Sequence, residues 1–110
     1  MKQDKRRRLE TAGWKVGSTA DFLALDEDEA AVIELKLDLA KAVRTARTRR
    51  RLTQKELAKA LRSSQSRVAK METGDPSVSI DLLVRTLLRL GAGRRDLARH
   101  LVAGRATRAA

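Results

Sequence analysis

The chain has no cysteine, a single histidine and almost no aromatic residues among its 110 positions. Without cysteine, disulfide scaffolds, thiol catalysis and cysteine-based zinc sites are excluded, and His100 alone cannot build a histidine-rich metal cluster. The aromatic side chains are only Trp14 and Phe22, so leucine, valine and alanine must form the core. A core so poor in aromatic residues favours helices over strands, and we expect an all-α fold.

Long apolar runs are also missing from the sequence. No segment approaches the ~18 apolar residues of a membrane span. The basic start, residues 1–8, leads into no secretory apolar region. We therefore expect a soluble cytoplasmic protein with one small domain and no membrane partner.

Positive charge is concentrated in the second half of the chain. Residues 1–40 hold seven Lys/Arg and nine Asp/Glu, a net charge of −2, whereas residues 41–110 hold eighteen and five, a net charge of +13. A field of this sign makes a polyanion the natural partner. The competing interpretation is an arginine-rich surface that is only solvated.

Apolar spacings of three and four predict one long amphipathic helix, which follows the acidic cluster at residues 26–29 and ends near Arg50. Before it, the Trp14 segment forms a short strand or a loop, and residues 22–25 form a helical turn. After it, the sequence predicts helices at residues 54–61, 65–73, 80–90 and 94–102.

Capping residues mark the ends of the shorter helices. Thr53, with Glu56 three residues later, predicts a capping box, and Ser64 and Ser79 precede the next two helices as caps. Gly74 provides a C-terminal stop. Two short helices joined by a three-residue link, with the small Ala58 in the first, satisfy the geometry of a helix-turn-helix.

Two motifs occur in these helices: Leu-Thr-Gln-Lys-Glu-Leu-Ala at residues 52–58 and Ser-Gln-Ser-Arg-Val-Ala-Lys-Met-Glu-Thr-Gly at residues 64–74. Residues 39–97 thereby resemble the Cro/cI-type (XRE) helix-turn-helix family. The resemblance implies a five-helix domain that acts as a dimer and places its third helix in the major groove of double-stranded DNA. We accordingly expect an N-terminal extension at residues 1–34, the helix-turn-helix domain at residues 35–102 and a disordered basic tail at residues 103–110.

The third helix is expected to read bases. If Val68 and Met71 point into the core, the residues on or beside the opposite face are Gln65, Ser66, Ala69, Lys70 and Thr73. A glutamine amide suits adenine N6/N7, and Arg67 suits guanine O6/N7 or a phosphate. The predicted base-reading residues are Gln65, Ser66, Arg67 and Lys70.

The resemblance also implies phosphate contacts by the glutamine of the second helix and by the cap residue of the third, with help from main-chain N–H groups at helix starts. The neighbouring cations extend this set. The predicted phosphate-binding residues are Gln54, Ser64, Lys55, Arg62, Arg50 and Arg51. Arg47 and Glu72 match a family pair that bridges the first and third helices, so we expect a structural role for them.

One residue departs from the family pattern. Family members usually have glycine just after the leucine of helix two, because the turn takes a positive φ there, and this chain has Arg62. A non-glycine residue in that region costs about 1 kcal/mol. Either Arg62 keeps the turn and gains a phosphate contact, or it reshapes the turn.

The extension has two interpretations. Trp14 and Phe22 either cover the apolar face of the long helix or a dimer mate, or they form a docking surface for another protein. The Gly-Trp-Lys-Val-Gly segment at residues 13–17, ahead of the helix-turn-helix, makes the layout similar to small regulators of the HigA-like antitoxin kind. That likeness implies a ribonuclease toxin of the RelE/HigB kind as partner and repression of the protein's own operon.

We therefore predict a sequence-specific, dimeric repressor that binds a palindromic double-stranded operator, with an antitoxin role under the docking interpretation. The alternative is a protein-interaction module on a helix-turn-helix scaffold, against which the net charge of residues 41–110 and the polar Gln65 and Lys70 argue. An enzyme is not expected, because His100 has no evident catalytic partner. No cofactor and no metal are predicted.

Overall fold

The computed structural model describes residues 27–109, with side chains described up to residue 102. Five helices are present in this part of the chain: α1 (Glu27–Arg49), α2 (Gln54–Ala60), α3 (Gln65–Thr73), α4 (Ile80–Arg89) and α5 (Arg94–Ala109). Residues 27–109 contain no strand. The all-α prediction is confirmed, while the Trp14 segment and the helical turn at residues 22–25 lie outside the described residues.

The long helix α1 is the central element of the fold, because α3, α4 and α5 all pack against it. Its first turn is acidic and its last turn contains Arg47 and Arg49, so both ends carry the charge that the helix dipole favours. Ala42 and Val43 are fully buried in its middle. α1 runs without a break through the predicted boundary at residues 34 and 35, since Ala30 and Ile33 are buried together with the residues that follow.

The core between the helices is aliphatic. Leucine, valine and methionine side chains from α2, α3 and α4 pack against α1, and the largest of them are almost completely buried. Each such side chain stabilises the fold by about 1.5–3 kcal/mol relative to an exposed position. The largest buried apolar side chains are Leu57, Met71, Leu83, Leu87, Val43 and Val68.

The predicted caps form as hydrogen bonds. The N–H of Glu56 donates to Thr53 Oγ1 (3.0 Å) and the N–H of Thr53 donates to Glu56 Oε1 (2.9 Å), which completes the capping box of α2. Ser64 Oγ accepts from the N–H of Arg67 at the start of α3. Ser79 Oγ accepts from the N–H of Leu82 at the start of α4. These bonds fix where each short helix begins.

The C-terminal ends of α1, α2, α3 and α4 share one geometry. Each helix is followed by a residue with a positive φ, and the next N–H donates to a carbonyl five residues earlier, as in a Schellman motif. The four residues with positive φ are Arg51, Arg62, Gly74 and Gly91. The four closing bonds run from Leu52 to Arg47, from Ser63 to Ala58, from Asp75 to Lys70 and from Ala92 to Leu87.

The last helix is longer than the sequence predicts. α5 continues to Ala109, whereas the sequence predicts its end at residue 102. Alanine and arginine fill five of the seven positions from 103 to 109 and are both strong helix formers. Among the described residues, no helix is long and apolar enough to cross a membrane.

Hydrogen bonds hold three carboxylates in their charged form. The N–H and the hydroxyl of Thr53 lower the pKa of Glu56 below its ordinary value of 4.5. Hydrogen bonds from Ser77 lower the pKa of Asp75, and the N–H of Gly93 does the same for Asp96. A carboxylate whose pKa is lower in the folded state stabilises the fold above its unfolded pKa, and this contribution disappears as the pH falls through the folded pKa.

The capping box therefore predicts part of the acid sensitivity of the fold. Replacing Glu56 by Gln should flatten the loss of stability below about pH 4.5, because the amide cannot gain a proton. Urea midpoints measured between pH 6 and pH 3 check this. An acid profile identical to that of the wild type would show that the Thr53 contact does not hold the Glu56 pKa down.

The end of α3 lies unusually close to α1. Gly74 has φ +67°, and a Cβ atom placed on it would lie 2.7 Å from Leu37 Cδ2. Gly91, at the matching place after α4, has φ +93°, but its Cβ would meet only the end of the flexible Arg50 side chain. The two glycines thus share the backbone requirement, while Gly74 alone is also confined by a packed core side chain.

Replacing Gly74 by Ala should destabilise the fold by about 2–3 kcal/mol, the sum of a left-handed backbone and an overpacked contact. The matched control, Gly91→Ala, should cost only the backbone part, about 1 kcal/mol. Equilibrium urea denaturation of both variants measures the difference. Equal losses would mean that α1 and α3 tolerate a methyl group between them.

Candidate nucleic-acid interface

α2 and α3 are joined by a tight turn at residues 61–64. Leu57 and Ala58 of α2 face Val68 and Met71 of α3 in the core. In the turn, Arg62 has φ +55°, and the N–H of Ser63 donates to the carbonyl of Ala58 at 2.8 Å. Arg62 therefore keeps the left-handed turn and does not reshape it.

The outer face of α3 is polar and accessible. Val68 and Met71 are completely buried, whereas the four residues that the sequence assigns to base reading are exposed. Ser64 precedes them as the N-cap, and its hydroxyl accepts from Arg67 N–H, so the hydroxyl proton can still be donated to a ligand. The exposed polar residues of α3 are Gln65, Ser66, Arg67, Lys70 and Thr73.

An ion pair between α1 and α3 holds this face in place. Arg47 Nε lies 2.5 Å from Glu72 Oε2, and the Glu72 side chain is only 4% exposed. Arg47 Nη2 donates to Glu72 Oε1, and Arg47 Nη1 donates to the carbonyl of Leu52 at 2.7 Å. The guanidinium thus connects the end of α1 with the last turn of α3 and with the segment that leads into α2.

Gln54 joins the same network, a contact that the sequence did not predict. Its Nε2 donates to Glu72 Oε1 at 3.1 Å, so the amide nitrogen contacts a carboxylate of the protein. A sequence separation of 18 residues gives no periodic signal for this bond. The phosphate contact of Gln54 stays a prediction. The hydrogen bond to Glu72 sets the orientation of the Gln54 side-chain amide.

The structure separates Arg50 from the other predicted phosphate ligands. Arg50 Nη2 lies so near Gly91 that a Cβ atom there would be 2.5 Å away. The guanidinium of Arg50 is therefore at the turn between α4 and α5. Lys55, Arg51, Arg62 and Ser64 are exposed at the ends and on the surface of the α2 and α3 pair.

The acidic residues of the second half are engaged in local structure. Glu56 caps α2, Glu72 pairs with Arg47, and Asp75 accepts from Ser77. The two others pair with arginines on their own helices, Asp81 with Arg85 and Asp96 with Arg99. Residues 48–71 then hold eight Lys/Arg, all exposed, against Glu56 as their one acidic residue.

This distribution gives the α2 and α3 surface a strong positive field. Fixed cations around an exposed polar helix attract a polyanion and raise its local concentration.

Burial lowers the pKa of Lys36 on α1, against the opposing effect of Asp75. Lys36 Nζ donates to the carbonyl of Pro76, so this cation supports the loop after α3. Among the described residues, no acidic or histidine cluster could hold a metal ion.

Two short helices, a tight turn and an exposed polar face on the second helix, with exposed cations on both helices and in the turns beside them, define a helix-turn-helix DNA-binding fold. A family model described as a helix-turn-helix domain matches residues 19–93, and the chain belongs to that family. Curated proteins and solved structures gave no match. The family supports a DNA-binding regulator and is typically not enzymatic. Trp14 and Phe22, the predicted docking residues, lie outside the described residues.

The Arg47–Glu72 pair predicts strong coupling between the two side chains. Replacing Glu72 by Met should cost about 3 kcal/mol, because it leaves the guanidinium partly buried without its counter-ion. The double variant Arg47→Met/Glu72→Met should lose clearly less than the sum of the two single variants. Urea denaturation of the four proteins measures the coupling, and strictly additive losses would contradict it.

Proposed function

We propose that the protein is a sequence-specific transcriptional repressor that binds double-stranded DNA with α3 in the major groove. The observation that carries the proposal is the exposed polar face of α3, held on a helix-turn-helix scaffold by a buried ion pair. A protein-interaction module would have no need of so many cations around this helix. The positive field of residues 48–71 therefore favours DNA over a protein partner.

The side chains of α3 match base edges in the groove. Gln65 has the planar donor and acceptor that pair with adenine N6 and N7, and the fork of Arg67 pairs with guanine O6 and N7. Both residues lie in the first turn of α3. In helix-turn-helix proteins the N-terminal residues of the recognition helix are those that contact base edges. Ser66 and Lys70 extend the contact along the same helix.

The phosphate contacts come from the surrounding residues. The hydroxyl of Ser64 lies at the start of α3, where main-chain N–H groups also favour an anion. Lys55, Arg51 and Arg62 add charge at the surface of α2. Contacts of this kind set the register of the protein on the duplex and carry no sequence information themselves.

We further propose that the protein binds as a dimer to a palindromic operator, as the similarity to Cro/cI-type proteins implies. Two copies of α3 would then enter successive major grooves, with half-sites about 10 base pairs or 34–36 Å apart. Leu88 on α4 and Val102 on α5 are at least half exposed. These two helices carry none of the base-reading residues, so their apolar side chains can serve a dimer contact.

The antitoxin role is a separate part of the proposal. It rests on the segment at residues 13–17 and on Trp14 and Phe22, all in the sequence alone. The acidic start of α1, with Glu27, Asp28 and Glu29 exposed, has the charge that suits a basic ribonuclease of the RelE/HigB kind. The repressor proposal does not depend on this partner.

Selection of binding sites from random DNA, followed by titration of variants, tests the repressor proposal. Gln65→Ala and Arg67→Ala should each lose about 1–3 kcal/mol on the selected site, with a smaller loss on scrambled DNA. For the wild type, log affinity should fall with log salt at a slope of about 0.9 per phosphate contacted.

Arg85→Gln is the matched control for charge, because Arg85 pairs with Asp81 on α4 and is remote in sequence from α2 and α3. Its site preference should equal that of the wild type. A wild type with no preferred palindrome, or with a salt slope near zero, would contradict the proposal. If both α3 variants kept full discrimination, α3 would not be the reading helix.

A further inference from the structure

Two arginines hold a backbone conformation that glycine normally takes. Arg51 has φ +58° and Arg62 has φ +55°. An L side chain is disfavoured there, because its Cβ approaches the following carbonyl oxygen. Strained positions of this kind persist where the surrounding structure enforces them, and they cluster at functional sites.

The other two helix ends of the same type have glycine at the position with positive φ. Gly74 and Gly91 occupy the equivalent place after α3 and α4. At Gly74 the close approach of Leu37 leaves no room for a side chain, while at Gly91 only the flexible end of Arg50 is near. Sterics therefore demand glycine at one of the four positions. At Arg51 and Arg62, on either side of α2, the chain carries its longest cation in spite of the strain.

The positions of the two arginines relate them to the recognition helix. Arg51 precedes Leu52, whose carbonyl accepts from Arg47, the partner of Glu72 in the last turn of α3. Arg62 lies three residues before Gln65, the first residue of α3. Arg51 thus adjoins the segment that the Arg47–Glu72 pair connects to the end of α3, Arg62 lies in the turn before the beginning of α3, and both are exposed.

The length of α2, which separates the two arginines, is comparable with the width of a DNA groove. α2 has seven residues, which at 1.5 Å per residue span roughly 10 Å. The major groove of B-form DNA is about 12 Å wide. Two exposed arginines at the two ends of α2 can therefore meet phosphates at separate points of a duplex that holds α3 in its groove.

We propose that Arg51 and Arg62 form a phosphate clamp around α3, and that the chain retains two strained helix ends for the sake of this clamp. The proposal rests on the DNA-binding function proposed above. It adds a specific consequence, which is that glycine at either position improves the fold and impairs binding. Stability and affinity then change in opposite directions at these two residues.

Two substitutions at each position separate charge from strain. Arg51→Gly and Arg62→Gly remove both, whereas Arg51→Gln and Arg62→Gln remove the charge and keep a side chain at positive φ. The glycine variants should melt about 4 °C higher than the wild type, near the lower end of the shift expected for relief of one such strain. The glutamine variants should melt close to the wild type.

All four variants should bind DNA more weakly. The probe is a random-sequence duplex of about three helical turns, because a phosphate clamp carries no sequence information. Each variant should lose about five- to tenfold in affinity at 0.1 M salt, and its salt slope should fall by about 0.9, the value for one phosphate contact. Arg85→Gln, which removes one arginine charge on α4, should keep the wild-type slope.

The outcomes distinguish this proposal from the function on which it rests. A wild type without salt-dependent DNA binding would refute the proposed function and the clamp together. If the wild type binds and the glycine and glutamine variants bind equally well, the clamp alone is refuted. A melting temperature that falls in the glycine variants would refute the claim of strain, and with it the reason for the clamp.

Discussion

The buried ion pair between Arg47 and Glu72 fixes the orientation of α3 against the rest of the fold. α3 has nine residues, and Val68 and Met71 are the apolar side chains that it buries, too few for a helix of this length to be held rigidly by apolar packing alone. The guanidinium adds a charged connection to α1 and reaches the carbonyl that precedes α2. Because Gln54 binds the same carboxylate, one acidic side chain sets the relative positions of three helices.

That constraint explains how a small domain without aromatic packing among its described residues can present a precise surface. The aliphatic core supplies most of the stability, but leucine and valine contacts are tolerant of small rotations. Hydrogen-bonded charges with fixed geometry are less tolerant, and their loss is expensive once they are buried. The polar network therefore fixes the orientation of α3 more precisely than the core does. The exposed face of α3 is held in position in the same way.

The acidic residues of the second half show how the surface field arises. Five carboxylates stand among eighteen cations, and each of the five accepts hydrogen bonds or pairs within its own neighbourhood. Glu56 and Asp75 sit in caps and turns, where main-chain N–H groups hold them. The acids thus serve the fold itself, and the cations of α2, α3 and the turns beside them keep their positive field.

Much of this arrangement could be predicted from the sequence, because its signals are local. The capping box at Thr53, the caps at Ser64 and Ser79 and the stop at Gly74 depend on residues three or four apart, and all four are present. The exposed face of α3 follows from the helical period around Val68 and Met71. The positive φ of Arg51, the amide contact of Gln54 and the position of Arg50 beside Gly91 could not be predicted, because tertiary contacts set them. The predicted length of α5 was wrong for a different reason, since residues 103–109 lack the apolar periodicity that predicts a helix.

We propose that α3 and its flanking turns are the surface that contacts DNA. Titration of a double-stranded duplex into the ¹⁵N-labelled protein, followed residue by residue in amide spectra, tests it most directly. The largest shifts should fall on residues 51–55 and 62–70, with small shifts in α5. The largest shifts in α5, or in the first turns of α1, would contradict it.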